Sequence, residues 1–293
     1  MADNVRMPVV AGQFYEGRAS ALRRAVADCA GGYAPPEDLG EVLGGVAPHA
    51  GWVFSGPTAA KVFLAIARKT EPQTFVVFGA VHRYLSGHAA IYPGGAWQTP
   101  LGRIDIDADA AEAAAAECAE LTVLSAEAHE GEHSIEVQVP FIQALCPDAK
   151  LLAIAVPPMR NAADVGRCVA RALAGTDRRS VVVASTDLTH YGMGYGSPDQ
   201  GTLSRAMPWM RENDRRMIRL VEELKADEVV AEAQANRNAC GAGAVAAAVA
   251  AAKALGAAGA RTLEYTTSAD VMPEPNADRA VGYVGIVFEK HAG

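Results

Sequence analysis

The run Ser180–Gly192, "SVVVASTDLTHYG", changes character halfway along. Val181, Val182 and Val183 follow one another with no polar residue between them, the pattern of a strand covered on both faces rather than wet on one. Ser185, Thr186, Asp187 and His190 then follow, four side chains that donate or accept hydrogen bonds. A buried strand ending in such groups suits a parallel α/β sheet, whose ligands sit outside the carboxyl ends of its strands.

The same texture recurs on both sides of this run. Strands are predicted at Val42–Ala47, Thr74–Gly79 ("TFVVFG"), Lys150–Val156, Arg261–Thr267 and Ala280–Phe288. Helices are predicted at Ala19–Cys29, Thr58–Arg68, Ala108–Ala119, Val137–Leu145, Ala162–Leu173, Leu203–Glu223 and Gly241–Leu255. This alternation predicts an α/β fold of three layers, with a mostly parallel central sheet and helices on both faces. No linker, charge block or fixed-period repeat divides the 293 residues, so one domain over 1–293 is expected. Gly192 to Met207, "GMGYGSPDQGTLSRAM", reads as a long loop leading into a helix, suited to a lid or a subunit contact.

With 50% hydrophobic and 20% charged residues, the chain has material for an ample core. The net charge of -8, with no concentrated basic patch, argues against nucleic-acid or anionic-membrane binding. No apolar run reaches the roughly 18 residues of a membrane helix. The opening "MADNVRMPVV" lacks the apolar core of a secretory signal, so a cytoplasmic location is expected. Cysteines 29, 118, 146, 168 and 240 are scattered and odd in number, and form neither a disulfide framework nor a CxxC zinc pattern.

Three histidines share a context. His49 follows the first strand in "GGVAPHAGW", His82 follows another in "FVVFGAVHR", and Asp187 and His190 leave a third. One such histidine reads as a hydrogen-bonding residue at a strand end. Three at one rim point to a metal, because neutral imidazole is the commonest ligand near neutral pH. Two imidazoles, one anion and open positions describe non-haem iron or catalytic zinc.

Asp187, Glu136 and Cys240 are the candidate anions. Cys240, in "NACGAGAV", stands before a helix whose positive end favours thiolate; the alternative is a small residue packed beside glycines. Gly241–Ala246 matches the G-x-G-x-x-A dinucleotide fingerprint, and Glu264 supplies an acid downstream. That motif also needs a hydrophobic strand directly upstream, whereas "LKADEVVAEAQANRN" is charged, alanine-rich and helical in pattern. The glycines are therefore read as allowing close backbone approach.

In "HEGEHSIEVQVPF", Pro140 is tolerated only within a first turn, placing the helix start near Glu136 or Val137. His129, Glu130, Glu132 and His133 then lie in the preceding loop and read as a solvated, capped helix start, with His133 nearest a pocket. His88 and His291 receive no role. Nucleophile elbow, phosphate loop and HExxH helix are all missing.

Taken in order, "APHAGWVFSGP", "WQTPLG", "EHSIEVQVPF", "STDLTHYG" and "NACGAGAV" resemble the Memo family, in microbes also labelled AmmeMemoRadiSam system protein B, from about Val5 to Phe288. The resemblance implies a fold similar to class III extradiol (LigB-type) dioxygenases, which hold non-haem Fe(II) with two histidines and a glutamate. It implies His49, His82 and Cys240 as metal ligands, with Cys240 in the place of the carboxylate. It further implies Asp187, His190 and His133 as catalytic pocket residues, His190 being the acid/base beside O2 and catecholate. Fe(II) is the expected cofactor, and a thiolate ligand also suits copper or zinc. A phenolic small molecule and O2 are the expected partners. A metal carrier or protein-binding module, and a zinc hydrolase, are the alternatives.

Overall fold

The computed structural model describes residues 4–83, 87–192, 194–195, 201–274 and 277–290. In chain order these form β1 (Val5–Arg6), α1 (Ala19–Ala30), β2 (Val42–Ala47), α2 (Trp52–Lys69), β3 (Thr74–Gly79), β4 (Ala89–Ile91), β5 (Ala96–Thr99) and β6 (Gly102–Asp105). There follow α3 (Ala108–Glu117), β7 (Thr122–Leu124), α4 (Val139–Leu145), β8 (Lys150–Ala155), α5 (Ala162–Ala174), β9 (Ser180–Ser185) and β10 (His190–Gly192). The chain closes with α6 (Leu203–Glu222), α7 (Ala226–Asn236), α8 (Ala242–Ala254), β11 (Gly259–Thr267), α9 (Ser268–Val271) and β12 (Arg279–Glu289).

The main sheet runs β10-β12-β2-β9-β3-β8-β4-β7, with β11 also paired to β12. The class is α/β, as expected, but the sheet is mixed rather than mostly parallel. Its centre, β2-β9-β3-β8, is parallel, while β10, β11 and β2 all run antiparallel to β12, and β4 runs antiparallel to β8. Connection length explains the difference. A parallel crossover needs a dozen or more residues, usually with a full helix, whereas only residues 268–278 join β11 to β12.

The uninterrupted apolar runs have the cause predicted for them. Val76, Phe78, Val182 and Ala184 face one core, with residues of α3, α5, α6, α7 and α8. Their neighbours Phe75, Val77, Val181 and Val183 face the other, with α1, α2 and α4. Each strand residue is therefore covered whichever way it points, and the three layers follow. Between helices α5 and α8 the approach is backbone to backbone: a Cβ on Gly166 would stand 1.9 Å from the Ala247 carbonyl oxygen. Alanine and glycine are what let these layers close.

α7 occupies the segment where a dinucleotide loop would need a strand, which removes that reading. The start of α4 is as expected, with one 3₁₀ turn at Glu136–Gln138 and Pro140 in the first turn of the helix. The long loop before α6 lies partly outside the described residues, as does His291. Cysteine pairing departs from the sequence reading: Cys118 and Cys168 form a disulfide between the end of α3 and α5. Their separation of 50 residues carries no local pattern that could announce it. Among the described residues, no helix is long and apolar enough to cross a membrane.

Candidate metal centre

Strand order assembles the site. β9 lies between β2 and β3, all parallel, so their carboxyl ends open side by side. His49 stands two residues beyond β2, Asp187 two beyond β9 and His82 three beyond β3. A cleft of about 700 Å³ opens over them, lined also by His133, His190, Phe14, Phe54 and Tyr283. Cys240 does not line it, yet its Sγ is 3.2 Å from His49 Nε2. Gly241 lets the chain come this close, since a Cβ there would stand 2.5 Å from the Ser185 carbonyl oxygen.

Hydrogen-bond accounting sets the ring tautomers. The Ser185 hydroxyl donates to the Ser134 carbonyl at 2.6 Å and accepts from Gln138 Nε2 at 2.9 Å. Its one proton is thereby used, so at 3.1 Å it can only accept from His49 Nδ1, and the bare lone pair of His49 is on Nε2. His82 Nδ1 donates to the Glu132 carboxylate at 3.0 Å, and His190 Nδ1 to the Leu188 carbonyl at 2.9 Å. Among the described residues, neither Nε2 is hydrogen-bonded. Tying one ring nitrogen so that the other is presented is the arrangement that orients histidine ligands.

Glu132 is the residue that sequence reading missed. Although it belongs to a charged loop, it is 4% exposed and its carboxylate accepts from His82 Nδ1 and from the backbone N–H groups of His82, His133 and Ser134. One carboxylate thus orients the His82 ring and pins the backbone that carries His133. Glu136, a candidate anion, is spent elsewhere: it pairs with Arg6 and accepts from Tyr15 Oη and the backbone N–H groups of Val9 and Val10. That removes it as a ligand and makes it the anchor of the N-terminal segment. His129 is also structural, fully buried against Tyr92 and Trp97 with Nε2 on the Ala90 carbonyl. No local signal announces Glu132: it lies before the 3₁₀ turn at Glu136–Gln138, and its partner His82 is 50 residues away in the chain.

Burial holds His49 neutral, its pKa lowered to about 4. Burial, with the nearby His82 ring, also lowers His133. His82 is raised by its hydrogen bond to Glu132. Burial works to raise Glu132, but its hydrogen bonds from His82 and Ser134 outweigh this and hold it well below the usual carboxylate range. Desolvation and the Asp187 carboxylate push the Cys240 thiol up to about 12. The expected helix-dipole effect is outweighed, so the thiolate needs a cation to form.

Asp187, 4% exposed, accepts from the backbone N–H groups of His49 and Ala50 through Oδ1, and its own N–H points to Cys240 Sγ at 3.3 Å. Two groups of donor atoms result, each with members within 4.8 Å of one another: His49, His82 and His133, and His49, Asp187 and Cys240. His49 is common to both, and His82 and Cys240 do not fall in one group. His190 stands at the cleft edge, its ring 5.1 Å from that of Tyr195. His49, His82, His133, Asp187 and Cys240 are candidate metal-binding residues, and the group of His49, Asp187 and Cys240 combines N, O and S donors.

Comparison with known proteins agrees with the motifs. A family model described as Memo-like protein matches residues 6–287. A MEMO1 family protein of Thermococcus onnurineus is 35% identical, over 98% of this chain and 100% of its own. Another, of Pyrococcus furiosus, is 37% identical over 98% and 99%, and one of Methanopyrus kandleri is 36% identical over 97% and 99%. The chain belongs to the Memo family.

Proposed function

We propose that this protein is an Fe(II)-dependent redox enzyme, resembling extradiol ring-cleaving dioxygenases, that acts with O2 on a phenolic or catecholic small molecule. His49, His82 and Cys240 are the proposed ligands. The observation that carries the reading is the pair of bare Nε2 atoms on His49 and His82, each fixed by a partner on Nδ1. The pair of His49 and Cys240 fits a metal as it stands, whereas His82 and Cys240 share no group within 4.8 Å, so holding all three on one ion requires a side chain to move. A tetrahedral ion at ordinary N and S distances separates such ligands by about 3.5 Å, close to the 3.2 Å between His49 Nε2 and Cys240 Sγ.

When bound, the ion supplies Lewis acidity and a one-electron couple. The chain's own residues do the rest. The Asp187 N–H stabilises negative charge on the sulfur. His190, with Nε2 bare at the cleft edge, accepts the substrate's hydroxyl proton, and His133 stands ready for a second transfer. Phe14 and Phe54 offer an apolar wall for a flat ring.

Anaerobic reconstitution with Fe(II), followed by oxygen uptake across a catechol panel, tests the activity; no metal-dependent turnover with any catechol would sink it. Cys240→Ser should lose most metal affinity with an unchanged circular dichroism spectrum. If metal content stays the same, Asp187 is the anion instead. One observation favours a second reading, a non-catalytic metal carrier: Cys240 does not line the cleft, so sulfur-bound metal would be turned away from substrate. Metal analysis of protein purified without chelators addresses this and the zinc-hydrolase alternative together.

A further inference from the structure

His133 differs from the other imidazoles of the site in how it is held. Each of His49, His82 and His190 has Nδ1 within 3.1 Å of an acceptor. Among the described residues, no hydrogen bond fixes a ring nitrogen of His133, and the nearest carboxylate oxygen, on Glu132, is 3.7 Å from Nδ1. Its backbone, by contrast, is pinned, because its N–H and that of Ser134 both donate to Glu132. The residue has a fixed base and a ring free to turn.

That ring is among metal donors. It stacks on His82 with centroids 4.8 Å apart and planes at 17°, and meets His49 edge-on at 5.6 Å. A nitrogen of each of the three rings lies within 4.8 Å of the others. The ring also meets Phe14 edge to face at 4.9 Å, and it lines the cleft. An untethered imidazole beside two oriented ones can complete a coordination shell and can also leave it.

We propose that His133 is a displaceable metal ligand that closes the coordination shell in the resting protein and swings out into the cleft when a catechol takes its place. This inference rests on the metal reading above. It also gives His133 its proton role, because the ring that leaves is a free base positioned beside the arriving hydroxyl group. A site that holds three imidazoles until substrate arrives keeps the bare ion away from O2.

Co(II), a spectroscopic substitute for Fe(II), and 4-nitrocatechol, a chromophoric catechol, test the proposal. X-ray absorption of Co(II)-loaded wild-type protein should show three imidazoles, falling to two when 4-nitrocatechol is added. His133→Phe should weaken Co(II) binding by roughly tenfold or more while tightening 4-nitrocatechol binding to the loaded protein several-fold. Two imidazoles in the resting protein, Co(II) affinity within about twofold of wild type, or weaker catechol binding would each overturn it. The wild-type measurement stands even if the variant does not fold. Failure of the wild-type protein to bind Co(II) at all would sink the metal reading itself, a result distinct from metal binding without His133.

Discussion

Glu132 and Glu136 are four residues apart, both almost fully buried, and serve opposite purposes. Glu136 faces the N-terminal segment: Arg6, Tyr15 and the backbone of Val9 and Val10 all donate to it, so its work is to fasten residues 6–15 to the start of α4. Glu132 lies behind the site histidines and spends its oxygens on His82 and on the backbone that carries His133. The lesson is that burial and bond count do not separate a structural carboxylate from a functional one. The identity of the donors does.

The contrast is broken most severely by Glu136→Ala. It leaves the Arg6 guanidinium buried without its counter-ion, and loss of one partner of a buried pair costs about 3–5 kcal/mol. Urea unfolding should show this loss, while folded variant binds metal like wild type. Glu132→Gln should do the reverse: a small change in the unfolding midpoint, and a metal affinity lowered about 10–100-fold by loss of the partner that orients His82. Equal effects of both variants on metal binding would mean that the two carboxylates belong to one network.

Acid sharpens the comparison further. His49 and His129 are neutral in the fold with pKa values near 4, below the usual 6.5, so each stabilises the fold above about 6.5. That stability is lost as pH falls from about 6.5 toward 4, while Asp214, raised by burial from 3.8 to about 6, works in the opposite sense as pH falls from about 6 to 3.8. Urea midpoints of the metal-free protein should fall across the window, and should fall more steeply in Asp214→Asn. The smallest effect belongs to a carboxylate at the surface. Asp227, paired with Arg167 but 71% exposed, should change stability by no more than about 0.5 kcal/mol on replacement by Asn.

The core strands were legible because each consists of residues that are covered on both faces. Val42–Ala47, Thr74–Gly79 and Ser180–Ser185 fall where the apolar runs place them. The short strands Ala89–Ile91 and Thr122–Leu124 were not read, since three residues are too few for any period to register. Direction within the sheet was also hidden, because it depends on connection length and partner choice rather than on strand composition. At the site, His49, His82, Asp187 and Cys240 were visible through their place beside strand ends and the helix start. Glu132 was not, because a charged residue beside Glu130 looks like solvated loop until the fold brings His82 to it. The Cys118–Cys168 pair likewise depends on how α3 and α5 pack.

Cys240 Sγ and His49 Nε2 touch across a separation of 191 residues, and β2, which carries His49 to the rim, is hydrogen-bonded to strands β9 and β12 from the far half of the chain. The proposed centre is therefore a late product of synthesis. A nascent chain that has emerged as far as Gly192 already carries His49, His82, His133 and His190 but not Cys240, and the strand that borders β2 on its other side is still nearly 90 residues away. Under the proposed ligand set, selection of an ion by sulfur can begin only once Cys240 has emerged, and β12, which borders β2, is completed later still.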